Sequence, residues 1–236
     1  MPKHGSNPNK PQARDDFAMV SEDGFVFVDV LANDGKAAAL RIWSLDQKDP
    51  TNRSDFAELP SGSTVGIGTN GQPLYKTVGN FDYLAAGETA TDSFTYSVRL
   101  GNGEISVATV NILVTGVDDP TRIESVTVKL TEGDDAADIS TSGQLVVTDP
   151  DSPATVVPYT QQGQYGTFTL ESDGSWTYEA DGPHDEFTHG KTYSEIFRVD
   201  STDGTGKGTV IIHIMGTADE PAMLNALASP DLAVFV

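Results

Sequence analysis

Tyr165-Gly166-Thr167-Phe168-Thr169-Leu170-Glu171, then Asp173-Gly174, then Ser175-Trp176-Thr177-Tyr178-Glu179 is the stretch that decides the fold class. Both flanking runs alternate apolar and polar residues with period two, the pattern of a half-buried strand. Asp-Gly between them predicts a hairpin, because a type I′ turn needs φ > 0 at both central residues. Successive strand side chains face opposite ways, so Phe168, Leu170, Trp176 and Tyr178 share the inward face.

Working outward, the hairpin has a fainter copy upstream. Asn70-Gly71 precedes Asp173-Gly174 at an offset of 103. Asp15-Asp16 and Asp118-Asp119, Tyr75 and Tyr178, Gly87 and Gly190, and Phe94 and Phe197 share that offset. Thr109-Val110 and Gly116 recur as Thr209-Val210 and Gly216 at an offset of 100. A fixed period marks tandem units. The expected boundaries are a disordered tail over 1–14, domains over 15–117 and 118–221, and a C-terminal tail over 222–236. Further strand runs are Phe25–Val30, Ser93–Val98, Ser106–Thr115, Ser125–Leu130, Gln144–Thr148, Ile196–Asp200 and Gly208–Met215. Many short strands separated by Gly/Asp/Pro turns predict an all-β chain of two β-sandwiches. Pro73 stands where the second unit has Trp176, so its strand is expected at an edge or a bulge. Short helical turns are expected near Leu84–Gly87 and Met223–Ala228.

The chain has 236 residues, no cysteine, 35 acidic residues against 14 Lys plus Arg, and a formal charge of −21. Disulfides, thiolate metal sites and cysteine catalysis are excluded. So acidic a field repels nucleic acid and anionic membranes. The excess carboxylate is either a solvated surface or a supply of ligands for a hard cation such as Ca²⁺. No run reaches the roughly 18 apolar residues of a membrane span, so membrane insertion is not expected. The basic, Pro/Asn-rich residues 1–14 lack the apolar core of a Sec signal peptide. Ser229-Pro230-Asp231-Leu232-Ala233-Val234-Phe235-Val236 is similar to the uncleaved C-terminal signal of type I secretion substrates, with a final strand as the plainer alternative.

Gln162–Phe168 with Asp173–Tyr178, Leu145–Ser152 ahead of them, and the closing Thr209–Gly216 strand resemble bacterial VCBS and cadherin-like repeats. Asp29-Val30-Leu31-Ala32-Asn33-Asp34 and Leu84–Thr89 look like the same superfamily in the first unit. Two such units in a short chain resemble the Rhizobium-adhering (Rap, Ra/CHDL) proteins. The resemblance implies two tandem cadherin-like, Ig-like Greek-key sandwiches. It further implies export through type I secretion machinery, calcium binding, and lectin activity toward acidic exopolysaccharide or capsular polysaccharide. Such a protein works secreted, on the bacterial cell surface or in the biofilm matrix.

Ca²⁺ takes six to eight oxygens, so carboxylates must converge from several loops. In the second unit the candidate ligands are Glu132 with Asp134, Asp149 with Asp151, and Asp200 with Asp203. Asp118 and Asp119 lie at the boundary, where cadherin-like linkers hold ions. In the first unit the candidates are Glu22, Asp23, Asp29, Asp34 and Asp46. Where the family pattern is close to Ser-Asp-Gly-Asn-Gly, the first unit reads Arg99-Leu100-Gly101-Asn102-Gly103, while the second keeps Asp203-Gly204. A site built on that turn is therefore expected in the second unit and weak or absent in the first. The plainer alternative is that these acids satisfy turns, which Asp favours anyway.

Bound calcium would bridge carboxylates of protein and sugar, and Arg41, Lys76, Arg99, Arg198 and Lys207 supply local positive charge. Trp176 is expected in the core, which leaves Trp43 and Tyr159 as candidate carbohydrate-binding aromatics. No GxSxG, HExxH or Walker loop is present, so an enzyme is not expected. His184 and His189 fall in a loop and are expected to be solvated. The competing expectation is a structural or protein-binding adhesin module without lectin activity.

Overall fold

The structure, a computed structural model, describes residues 12–35, 40–100 and 103–218. It divides into two units, Met1–Pro120 with Asp149–Pro153, and Thr121–Thr148 with Ala154–Val236.

In the first unit the strands are β1 (Asp16–Ser21), β2 (Phe25–Phe27), β3 (Arg41–Ser44), β4 (Phe56–Glu58), β5 (Thr64–Ile67), β6 (Pro73–Lys76), β7 (Thr89–Arg99) and β8 (Ile105–Thr115). They form two sheets, β1-β8-β7-β3 and β2-β6-β5-β4. All pairs are antiparallel except β1 with β8, which run parallel from Asp16 opposite Val110 to Ser21 opposite Thr115. The period-two pattern buries Phe94, Tyr96 and Val98 of β7 and Val110, Ile112 and Val114 of β8 against Val65 and Tyr75 of the other sheet. Pro73 does not make its strand an edge. β6 lies inside its sheet, and Pro73 is tolerated because it is the strand's first residue. β3 is short, and beyond it the edge of β7 is closed by an amide. Gln47 accepts from the Thr95 N–H at 2.7 Å and donates to the Thr95 carbonyl at 2.9 Å.

The second unit has β9 (Arg122–Ile123), β10 (Val126–Thr131), β11 (Thr141–Gln144), β12 (Val147–Thr148), β13 (Tyr159–Gln162), β14 (Gly166–Leu170), β15 (Ser175–Ala180), β16 (Thr192–Asp200) and β17 (Lys207–Met215). Its sheets run β10-β17-β16, β11-β15-β14-β13 and β12-β9, and β10 pairs parallel with β17. Phe168, Leu170, Trp176 and Tyr178 are all buried, as the alternation predicts. Phe168 stacks on Phe197 with ring centres 4.4 Å apart and meets Trp176 at 5.9 Å. Gly143 is required opposite the indole, because a Cβ there would stand 2.5 Å from Trp176 Cζ2.

The decisive hairpin forms with a different turn from the expected one. Only Gly174 has positive φ, at 84°, and its N–H donates to the Glu171 carbonyl. Ser172-Asp173-Gly174 is therefore a three-residue loop closed by a left-handed glycine. Thr69-Asn70-Gly71 repeats it, with Gly71 at φ 80°. The turn near Leu84 is present without a helix, a 3₁₀ turn appears instead at Ala136–Ile139, and Met223–Ala228 lie outside the described residues.

His184 is not a solvated loop residue. Its ring lies 4.8 Å from Phe187 in a stack, and its nitrogens meet Glu186 Oε1 at 2.8 Å and Asp181 Oδ1 and the Tyr165 carbonyl at 2.9 Å. Burial alone would lower its pKa, but the Glu186 hydrogen bond and the other partners outweigh it and raise the value. A raised folded-state pKa adds stability below the ordinary value near 6.5, and that gain is lost as pH rises through the raised one. His184→Asn keeps the left-handed backbone at φ 62°. In chemical denaturation, raising pH from 5.5 to 8.5 should cost the wild type more stability than it costs this variant. Parallel pH profiles would show that His184 is not charged in the fold.

Candidate metal centre

The parallel closure of the first unit sets its main acid cluster. Immediately after β1, the Glu22 N–H donates to the Thr115 carbonyl, so its side chain turns into the chain's exit from β8. Glu22 is fully buried. Its Oε1 accepts the Val117 N–H at 2.6 Å, and its Oε2 is buried without a hydrogen-bond partner. Asp82 Oδ1, Asp119 Oδ2 and Asp151 Oδ1 are likewise buried and unpartnered. The Asp119 N–H donates to Asp151 Oδ2 at 3.2 Å, and Asp149 Oδ1 accepts the Asp151 and Ser152 N–H groups.

These carboxylates destabilise one another's charge. Desolvation raises the Glu22 pKa first, and then Asp119, Asp23 and Asp82 raise it further. For Asp119 desolvation is followed by Asp82, Asp23, Asp151 and Asp149. Desolvation also leads for Asp151, with Asp149 and Asp118 adding to it. A buried carboxylate oxygen without donor or cation is costly. A second group lies at Asp16 and Asp34. Asp34 is 7 % exposed, with Oδ1 accepting from the Arg14 N–H at 2.8 Å and the Tyr96 hydroxyl at 3.1 Å. The Oδ2 atoms of Asp16 and Asp34 are buried and unpartnered, and desolvation, with Asp34, Asp15 and Asp29 adding to it, pushes the Asp16 pKa to about 6.

Several other acids have partners of their own. Asp203 accepts from the Ser201 hydroxyl, the Thr205 N–H and hydroxyl, and the Thr121 hydroxyl, which together hold its pKa low. Asp200 pairs with Lys207 at 2.8 Å, and Asp46 accepts the Lys48 and Asp49 N–H groups. Glu132 reproduces the Glu22 arrangement in the second unit, accepting the Thr217 N–H at 2.6 Å. Asp23, Asp29, Asp118 and Asp134 are exposed. Thus Glu22, Asp23, Asp119, Asp149 and Asp151 belong to one electrostatic group, whereas Asp200 and Asp203 make bonds of their own. Sequence reasoning did not single out Asp82 or Asp16 as ligands. Asp16 was visible as the repeat partner of Asp119, and Asp82 only as an acid ahead of the Leu84 turn.

Among the described residues, no three His, Asp or Glu side chains already stand close enough to hold a metal ion. The donor set nonetheless suits Ca²⁺, a hard cation that prefers carboxylate oxygens in flexible geometry. Glu22, Asp82, Asp119 and Asp151 would supply the ligating oxygens.

The proposed carbohydrate aromatics are both engaged. Tyr159 donates to the Arg198 carbonyl at 2.8 Å and packs against Phe168. The half-buried Trp43 donates to the Thr51 carbonyl at 3.1 Å, and the Arg99 guanidinium lies over its ring at 4.2 Å.

Residues 117–216 match the family described as bacterial cadherin-like domain, and residues 8–113 match bacterial Ig domain. A comparison with curated proteins finds none that matches. Solved structures similar to the chain include Drosophila N-cadherin EC1-4, at 17 % identity over 86 % of this chain and 49 % of that one, with a TM-score of 0.45. Human CDH23 EC21-23 is also 17 % identical, over 86 % of this chain and 72 % of that one, with a TM-score of 0.45. The chain thus spans about half of the N-cadherin fragment.

Asp119→Asn removes one repelling charge while leaving the backbone N–H that Asp151 accepts. In EDTA the variant should melt about 2–4 °C above the wild type. With calcium added it should gain less than the wild type does. Thermal scans with and without calcium read both effects, and a variant less stable in EDTA contradicts the repulsion argument.

Proposed function

We propose that this chain, a bacterial Ig domain followed by a bacterial cadherin-like domain, is an exported calcium-binding adhesin. It takes acidic bacterial exopolysaccharide and contributes to the biofilm matrix and to cell adhesion. One observation carries the calcium half of this reading: four buried carboxylate oxygens, on Glu22, Asp82, Asp119 and Asp151, lack any hydrogen-bond donor. A bound Ca²⁺ supplies the positive charge that this group lacks. Glu22 follows β1 and is fixed by its N–H bond to the Thr115 carbonyl, and the Asp149–Pro153 segment brings Asp151 to the Asp119 N–H. Neutralising the cluster lowers the cost of the folded state and removes part of the repulsion toward an acidic sugar. Adhesion-type domains of this kind act by binding, and no enzyme family matches. No helix among the described residues is long and apolar enough to cross a membrane. The segment resembling a type I secretion signal lies outside the described residues, so export by that route belongs to this proposal.

A structural or protein-binding adhesin is the second reading. It is favoured by Phe25, Phe27 and Phe56, which stand exposed on the outer side of the β2-β6-β5-β4 sheet and suit protein contact.

Extracellular calcium modules bind at about 10⁻⁴–10⁻³ M. At about 1 mM calcium, each such site adds roughly 0.4–1.4 kcal/mol. Calcium should therefore raise the melting temperature and excess EDTA lower it; an unchanged curve sinks the calcium part. Calcium-dependent retention on the producing strain's exopolysaccharide, competed by the free polymer, tests the lectin part. Absence of retention favours the structural reading, and shortening of the polymer would reveal an enzyme.

A further inference from the structure

The acid clusters leave the outer face of the β1-β8-β7-β3 sheet unused. At one edge of this face, Arg41 of β3 stands directly opposite Arg99 of β7 in the ladder. Like charges opposed across strands repel, and among the described residues neither guanidinium has an ion-pair partner. The register shifts between Ile42 and Ser44, so Trp43 is the extra residue. That bulge brings its ring under Arg99 at 4.2 Å, with Arg53 at 5.9 Å from the same ring. Arg53 is only loosely held by Asp55, at 3.7 Å. Two of the chain's 14 basic residues, Arg99 and Arg53, therefore gather around one indole on a protein of net charge −21, with Arg41 opposite Arg99 in the ladder. Six residues back along β7 from Arg99, Ser93 with Asn111 and Phe17 forms a row over three adjacent strands, and Phe17 is 64 % exposed.

We infer that this face binds a carboxylate-bearing polysaccharide, with Arg41 and Arg99 holding a uronate carboxylate beside Trp43. The inference rests on the lectin reading above and names its site. Guanidinium groups match a planar carboxylate bidentately. An anion held between the two arginines resolves their repulsion. Stacking on Trp43 orients Arg99 in advance and so lowers the ordering cost of binding. Hydroxyl, amide and aromatic groups along the row suit the hydroxyls and apolar faces of sugar rings. At about 3.3 Å per residue, the six residues from Arg99 to Ser93 on β7 span about 20 Å, enough for a saccharide of several rings. Duplex DNA, with a charge every ~1.7 Å, would be repelled by the rest of the molecule. A polymer with widely spaced carboxylates places one charge on the patch and hydroxyls elsewhere.

The test uses the full chain, calcium, and polygalacturonate as probe, beside the same polymer with its carboxyls reduced. The wild type should bind polygalacturonate at least ten-fold more tightly than the reduced polymer. Arg41→Gln/Arg99→Gln should lose that preference, while Arg122→Gln, an exposed arginine in the other unit, should keep it. Should the double variant fold poorly, wild-type fluorescence replaces it. Trp176 is buried, so acrylamide quenches Trp43 selectively, and polygalacturonate should protect Trp43. Undiminished binding by a folded double variant, or Trp43 quenching unaltered by bound polymer, overturns the site and leaves the lectin reading standing. No wild-type binding to either polymer overturns the site, and the lectin reading is then decided by retention on the producing strain's exopolysaccharide.

Discussion

Each unit depends on one constraint: its first long strand must pair parallel with its last. Short turns cannot join parallel neighbours, so the chain cannot reach this arrangement by simple meandering. It crosses between layers, and the pairing of β1 with β8, and of β10 with β17, closes the sandwich over its core. The same closure positions the buried glutamates. Glu22 and Glu132 each follow the first partner, donate backbone N–H to the last, and accept an N–H from the departing chain. Fold and candidate site thus share one set of hydrogen bonds.

The net charge conceals two populations of acids. Asp46, Asp49, Asp173 and Asp203 accept several short-range donors, and their pKa values fall. Glu22, Asp16, Asp34, Asp119 and Asp151 are desolvated, and their values rise. Members of the first group hold turns together. Those of the second carry unmet electrostatic demand, which is what a hard cation would satisfy.

Alternation was enough to read the β14–β15 hairpin, the long strands β7, β8, β10, β16 and β17, the repeat, and the inward set Phe168, Leu170, Trp176 and Tyr178, because strand periodicity and burial are local properties of sequence; β1, β3, β4 and β13 were not singled out. What local pattern does not encode is partner choice. The Asp173-Gly174 dipeptide announces a hairpin but is compatible with more than one loop length, and the ladder register selected the three-residue form. Pro73 looked like an edge signal until its place at the start of the strand removed the conflict. Asp203 looked like a ligand, yet three hydroxyl-bearing neighbours, one of them 82 residues away, occupy it. Asp82 was overlooked because nothing adjacent marks it; only the folded chain sets it beside Glu22 and Asp119. Trp43 seemed a free platform, and the bulge that places it under Arg99 has no sequence signature.

Gln47 carries one more consequence. A strand that ends a sheet offers a ladder of unspent N–H and C=O groups, which other chains can extend. β3 shields only the last residues of β7, and Gln47 matches the next pair of groups with its own amide. A single side chain thus impersonates a neighbouring strand. Templated growth of one molecule onto another at that position is blocked without adding charge or proline.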